Sequence, residues 1–147
     1  MLQIPTELGV QLPGEENPGN LAQLWRRGGV SLLSDAIRDI VGLQQGDPKR
    51  YVVMPRTALR RLVDGLGEVE VVLSDSYKRQ DKTQDYTVML QAGRQRLNGA
   101  QAEQLVRHLP DPKAVPQRRQ RQNIFVEGLI EQVKAPSGIK VIPGLVN

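Results

Sequence analysis

Cysteine is absent from the 147 residues, which excludes disulfides, thiolate zinc sites, iron–sulfur clusters and cysteine nucleophiles together. Histidine occurs once, at His108, so any imidazole chemistry has to use that residue. It falls in the last turn of an expected helix, where histidine suits the negative end of the dipole, and no G-x-S-x-G elbow precedes a helix anywhere in the chain. Aromatic residues are few and dispersed, at Trp25, Tyr51, Tyr77, Tyr86 and Phe125. They do not form the stacking platform of a single-strand reader. No window approaches the ~18 apolar residues that span a bilayer, and the N-terminus lacks the basic start and apolar core of a signal peptide. The expectation is a virion or cytoplasmic protein, not secreted and not in a membrane.

Charge is present but diluted. Twenty Lys and Arg stand against 16 Asp and Glu, for a formal net charge of +4. Scattered positive charge draws a protein toward polyanions without making a site, so distribution matters more than the total. Asp75, Asp81 and Asp85 cluster, but Lys78, Arg79 and Lys82 interrupt them and the order of a calcium loop is missing. Glu68 and Glu70 sit on the polar face of an expected strand, where paired acids are solvated. Gly28-Gly29, Gly93 and Gly99 match neither the P-loop nor the dinucleotide spacing. No catalytic residue, cofactor or metal is expected.

Residues 1–19 hold Pro5, Pro13 and Pro18 among glycines and read as an extended N-terminal arm. Asn20 caps a short helix with Leu21, Leu24 and Trp25 at helical spacing, and Gly28-Gly29 ends it. A second helix follows, with Leu33, Ile37, Ile40 and Val41 on one face, and then YVVM, a β-type run stopped by Pro55. Leu59, Leu62, Val63 and Leu66 give a third helix, started by Thr57 and ended near Gly65 or Gly67. EVEVVLS and DYTVMLQ both alternate, and are expected to pair as an antiparallel hairpin with SDSYKRQDKTQ as its long tip. Asn98 and Gln101 form a capping box before Ala102, Leu105, Val106 and Leu109. Residues 110–123 carry three prolines and a basic, glutamine-rich run, and read as an extended linker. A short helix is expected from Ile124, and residues 136–147 as an apolar strip.

The expected fold is therefore α+β: a small single domain, with residues 20–109 as core, in which three or four short helices pack on a central antiparallel sheet. Extended arms lie at both ends, the second being residues 124–147 with their helix. Two groups of residues stand out as candidate contacts. Leu2, Ile4, Val10 and Leu12 in the first arm, Tyr77, Lys78 and Arg79 in the tip, and Ile124, Phe125, Leu129, Ile139, Val141 and Ile142 in the second arm form an apolar and mixed set suited to protein contacts. Arg56, Arg60, Arg61, Arg118, Arg119 and Arg121 could instead meet nucleic acid or an acidic partner.

Modest α+β cores with interlocking arms make the chain similar in kind to small bacteriophage virion proteins of the head–tail connector, tail-terminator, decoration and baseplate types. SDAIRDIV followed by GDPKRYVVMP also resembles a stretch of phage baseplate wedge proteins related to lysozyme. The Pro-Asp-Phe-Gly element that follows in that family is replaced by the run from Pro55 into RTALRR, and no residue role carries over. The resemblance implies a non-enzymatic structural subunit of an oligomer, whose partners are copies of itself or other structural proteins of the assembly. A basic nucleic-acid-binding or small regulatory protein acting on a host macromolecule is the alternative.

Overall fold

The structure is a computed structural model that describes residues 4–47, 49–81, 86–109 and 111–136. The chain is α+β, with four α-helices and three two-stranded antiparallel sheets among the described residues. Leu2, Ile139, Val141 and Ile142 lie outside the described residues. Contacts gather into two compact units, Met1–Val53 and Met54–Asn147.

In the first unit, β1 (Gly9–Val10) pairs with β2 (Gly19–Asn20), and α1 (Leu21–Val41) follows. Asn20 caps α1 as its side-chain type predicts: its Oδ1 accepts from Gln23 N at 3.0 Å, and Gln23 Oε1 accepts from Asn20 N at 2.8 Å. Two more free amides of the first turn donate to main-chain carbonyls, Leu21 to Leu8 and Ala22 to Thr6. The expected break at the glycine pair appears as a kink, with Gly28 at φ −137° and Gly29 at φ 56°, ψ −137°, conformations outside the helical region. The small core here is Leu12, Leu21 and Leu24, against which Ile4 and Val10 pack. These three residues of the first arm are thus used inside their own unit.

In the second unit, α2 (Arg56–Leu66) starts after Pro55 with no side-chain cap, so Thr57 does not serve as one, and ends on Gly67 at φ 75°. The sheet pairing differs from expectation. β3 (Val69–Leu73) pairs with β6 (Gly93–Leu97), from Val69 opposite Leu97 to Leu73 opposite Gly93. The segment expected to be a tip is a strand, β4 (Tyr77–Asp81), paired with β5 (Tyr86–Leu90). Val69, Val71 and Leu73 face inward as their alternation requires, while Glu68 and Glu70 are engaged by Arg96 and Arg94 across the ladder.

Asn98 caps α3 (Gly99–Arg107) with the expected capping box to Gln101. A 3-10 turn at Pro112–Ala114, capped by Asp111, then leads straight into α4 (Val115–Lys134). Residues 115–123 are therefore helical where an extended linker was expected. Pro116 sits in the first turn, where its missing N–H costs nothing, and glutamine and arginine are good helix formers. Leu59 and Val63 of α2, Val88 and Leu90 of β5, Leu97, Leu105 and Phe125 form the core with the β3 face. Phe125, expected to hook a neighbouring subunit, is 3% exposed in that core, with Ile124 and Leu129 packed beside it.

Candidate anion-binding site around Arg121

Helix geometry puts residues three and four apart on one face, so Arg118, Arg121, Phe125 and Leu129 share a side of α4. Phe125 fixes that side against the core, and Arg121 is carried inward with it: its exposure is only 3%. The guanidinium lies over the ring of Tyr77, 4.8 Å from the centroid, and one Nη2–H donates to the main-chain carbonyl of His108. No ion pair reaches Arg121 among the described residues, and its Nε has no partner. Burying a cation without a counter-charge is costly, and a ring face and one carbonyl offset only part of that cost.

Three further groups surround it. His108 is 4% exposed, just past the end of α3, with its ring 5.4 Å from that of Tyr77 and its Nδ1 unpartnered. Arg79, from β4, donates to the carbonyl of Leu109 at 2.9 Å. Two guanidiniums thus meet the carbonyls at the C-terminal end of α3, where the helix leaves acceptors free and the dipole is negative. Arg118, half-buried one turn before Arg121, also has an unpartnered Nε. Burial, then the charges of Arg121 and Arg79, hold His108 below its ordinary pKa, so it is neutral at pH 7.

A buried acid on α3 behaves differently. Glu103 of α3 is 3% exposed and is held by Arg60 and by Arg107, the latter at 2.9 Å. Burial pushes its carboxyl up, but the hydrogen bonds and charges of the two arginines outweigh this and keep it below the ordinary value. That pairing is closed on itself, whereas Arg118 and Arg121 each keep one buried Nε without an acceptor. Guanidiniums are the groups best suited to phosphate, since their N–H pairs match two oxygens at once.

Of the residues singled out from sequence, the fold brings together Tyr77, Arg79 and Arg121, and Arg118 lies one turn before Arg121 on the same face of α4. Lys78 alternates outward from β4 and is exposed, Arg56 and Arg61 are exposed, and Arg119 is half-buried and engaged within the fold. Sequence reasoning passed over His108, whose position at a helix end has an ordinary explanation. No local sequence signal flags it, because the arginines whose charges reach it, Arg79 and Arg121, lie far from it along the chain. No cluster of His, Cys, Asp or Glu suited to a metal occurs among the described residues.

The family model described as LytR_cpsA_psr family matches residues 1–147. No curated protein matches the chain. Among solved structures, a transcriptional regulator from Enterococcus faecalis aligns over 97% of this chain and 51% of its own, at 18% identity and a TM-score of 0.79. TagV of B. subtilis aligns over 97% and 54%, at 18% identity and 0.78. TagT bound to LI-WTA aligns over 92% and 51%, at 23% identity and 0.66. At such identities these structures share the fold, and the chain spans about half their length. The expectations of a bacteriophage virion component, of a non-enzymatic assembly subunit and of a virion or cytoplasmic location are overturned by these matches. The phage likeness rested on arms and on residues 34–55, whereas the family model matches residues 1–147.

Proposed function

Because the chain belongs to the LytR_cpsA_psr family, we propose that it forms part of a phosphotransferase of the cell envelope, one that attaches a glycopolymer of the cell wall to peptidoglycan. In such a reaction a hydroxyl of the acceptor attacks phosphorus, a new P–O bond forms, and the bond to the phosphate-bearing leaving group breaks. Charge builds on the non-bridging and leaving oxygens, so catalysis is mainly positioning and electrostatic stabilisation. The contribution of this chain is the arginine group on α4 and β4. Arg118 and Arg121 present N–H donors to a phosphate oxygen, Tyr77 and His108 hold the Arg121 guanidinium in place from below, and neutral His108 adds no competing positive charge.

One observation carries this reading beyond the family match: a buried guanidinium and its neighbour on the next turn both keep an Nε without a partner. In a protein that binds no anion, such groups gain nothing from staying unsatisfied. Calorimetric titration with inorganic pyrophosphate tests it. Arg118→Gln and Arg121→Gln should each weaken binding at least tenfold, the scale of the ~1.5–3 kcal/mol carried by a hydrogen bond to a charged group. Arg56→Gln, on an exposed site, should change it little. If both inner variants fold and bind as tightly as the parent, or if the chain binds single-stranded nucleic acid with a steep salt dependence and pyrophosphate not at all, the reading is wrong.

A further inference from the structure

Two packing demands meet at the start of α3, and together they place a glycine directly after an asparagine. Asn98 is there as the cap: its Oδ1 accepts from Gln101 N at 3.0 Å, and Gln101 Oε1 accepts from Asn98 N at 3.0 Å. Gly99 is there for clearance, because a Cβ at that position would collide with the main-chain carbonyl of Arg60 on α2. The outcome is the one Asn-Gly pair in the 147 residues. Such a pair is chemically exposed, since no side chain on the glycine shields its nitrogen from the asparagine. The glycine N can attack Cγ of the asparagine: it gives up its proton, the N–Cγ bond forms, the Cγ–Nδ2 bond breaks, and Nδ2 leaves with that proton as ammonia. Water then opens the cyclic imide to aspartate or isoaspartate.

Asn98 is exposed to water and Gly99 is buried, and the glycine nitrogen is already engaged. Gly99 N donates to Oδ1 of Asp64, on α2, at 2.7 Å. We propose that Asn98-Gly99 is a latent deamidation site guarded by Asp64, so that the imide forms only when the first turn of α3 lifts away from α2. The proton that has to leave is the one Asp64 holds, and a carboxylate beside it opposes the negative charge that develops on the nitrogen. Asn98 Cγ, the atom to be attacked, is anchored through the bond that Oδ1 accepts from Gln101 N. Bringing Gly99 N onto Cγ rotates Asn98 away from ψ 174°, and Gly99 lies so close to the Arg60 main chain that this displaces the turn. The reaction therefore runs through the locally opened form, at a rate set by its population. Isoaspartate adds a carbon to the main chain at the cap, so the capping box cannot close again as before.

Trypsin releases residues 97–107 as one peptide, since Arg96 and Arg107 bound it. Its mass records the conversion of amide to acid, and chromatography separates the aspartate and isoaspartate forms. The folded chain and a synthetic peptide of residues 97–107 are incubated side by side at mildly alkaline pH. The folded parent should convert at least about tenfold more slowly than the peptide, because only its opened form reacts. Asp64→Ala should convert at least about tenfold faster than the parent, the scale of a lost hydrogen bond to a charged group. Asp64 is exposed and alanine is the better helix former, so that variant should keep the parent's thermal unfolding. Gln101→Ala loosens the cap but leaves Asp64 in place, and should accelerate conversion less; Asn98→Ser keeps a cap and should abolish it. A folded parent as fast as the peptide, Asp64→Ala no faster than the parent, or Gln101→Ala as fast as Asp64→Ala would each overturn the inference.

Discussion

At the scale of the residue, His108 and Arg121 show how two polar groups can be buried together without an acid between them. The main-chain carbonyl of His108 accepts from Arg121 while its ring, beside Tyr77, stays neutral because burial and two guanidiniums oppose protonation. That depression has a sign. A histidine with a lowered folded pKa contributes stability above its ordinary value of 6.5 and loses it as pH falls through the lowered one. Thermal stability should therefore fall as pH drops below about 6.5, and His108→Gln should remove that slope. Glu103 acts in the same direction but in a lower window, below the ordinary 4.5 of a glutamate, because its lowered pKa comes from Arg60 and Arg107. A slope near pH 6 that survives His108→Gln would contradict the account. None of this was legible in the sequence, where His108 and Arg121 both have ordinary solvent-exposed explanations; what buries them is the docking of α4, which depends on contacts far apart in the chain.

At the scale of the element, α4 is the structure that positions the site, and a glycine governs how it docks. Gly128 lies against the main chain of β3, where a Cβ would collide with the Glu70 carbonyl and press on Val69. The obstacle is backbone, which cannot rotate away as a side chain does. Gly128→Ala should therefore destabilise the fold by about 1–3 kcal/mol even though alanine is the better helix former, and a denaturant melt gives the value. A neutral or stabilising outcome would mean that α4 does not sit this close to β3. The early turns of α4 were not legible because their inward positions are Arg118 and Arg121, which break the apolar pattern that marks a core-facing helix. β4 escaped for the same reason: its inward residues are Tyr77 and Arg79. Where inward positions were apolar, as in β3, α2 and α3, or where a capping box stood, as at Asn20 and Asn98, the expected strand or helix is present, although α2 is not capped by Thr57 and β3 pairs with β6.

At the scale of the whole molecule, helical spacing and alternation indicated the α+β class, but composition pointed to the wrong function. The absence of cysteine, metal clusters and hydrolase motifs argued against catalysis as a class, yet a phosphotransferase needs chiefly positioned positive charge, and arginines scattered in sequence can supply it once folded. The phage likeness came from the Pro/Gly-rich ends, whose composition says little about partners. Membership of the LytR_cpsA_psr family replaces that likeness, and the arginine group on α4 and β4 gives the chain its proposed part in phosphate chemistry.

The most direct test of that part is to observe the arginine Nε–H groups by nitrogen-15 NMR while inorganic pyrophosphate is added at constant ionic strength. Arg118 and Arg121 should move together and saturably, since among the described residues theirs are the buried Nε groups without a partner, while exposed Arg56 and Arg61 stay in place. Shifts at Arg118 and Arg121 no larger than those at Arg56 and Arg61 would contradict the proposed anion site.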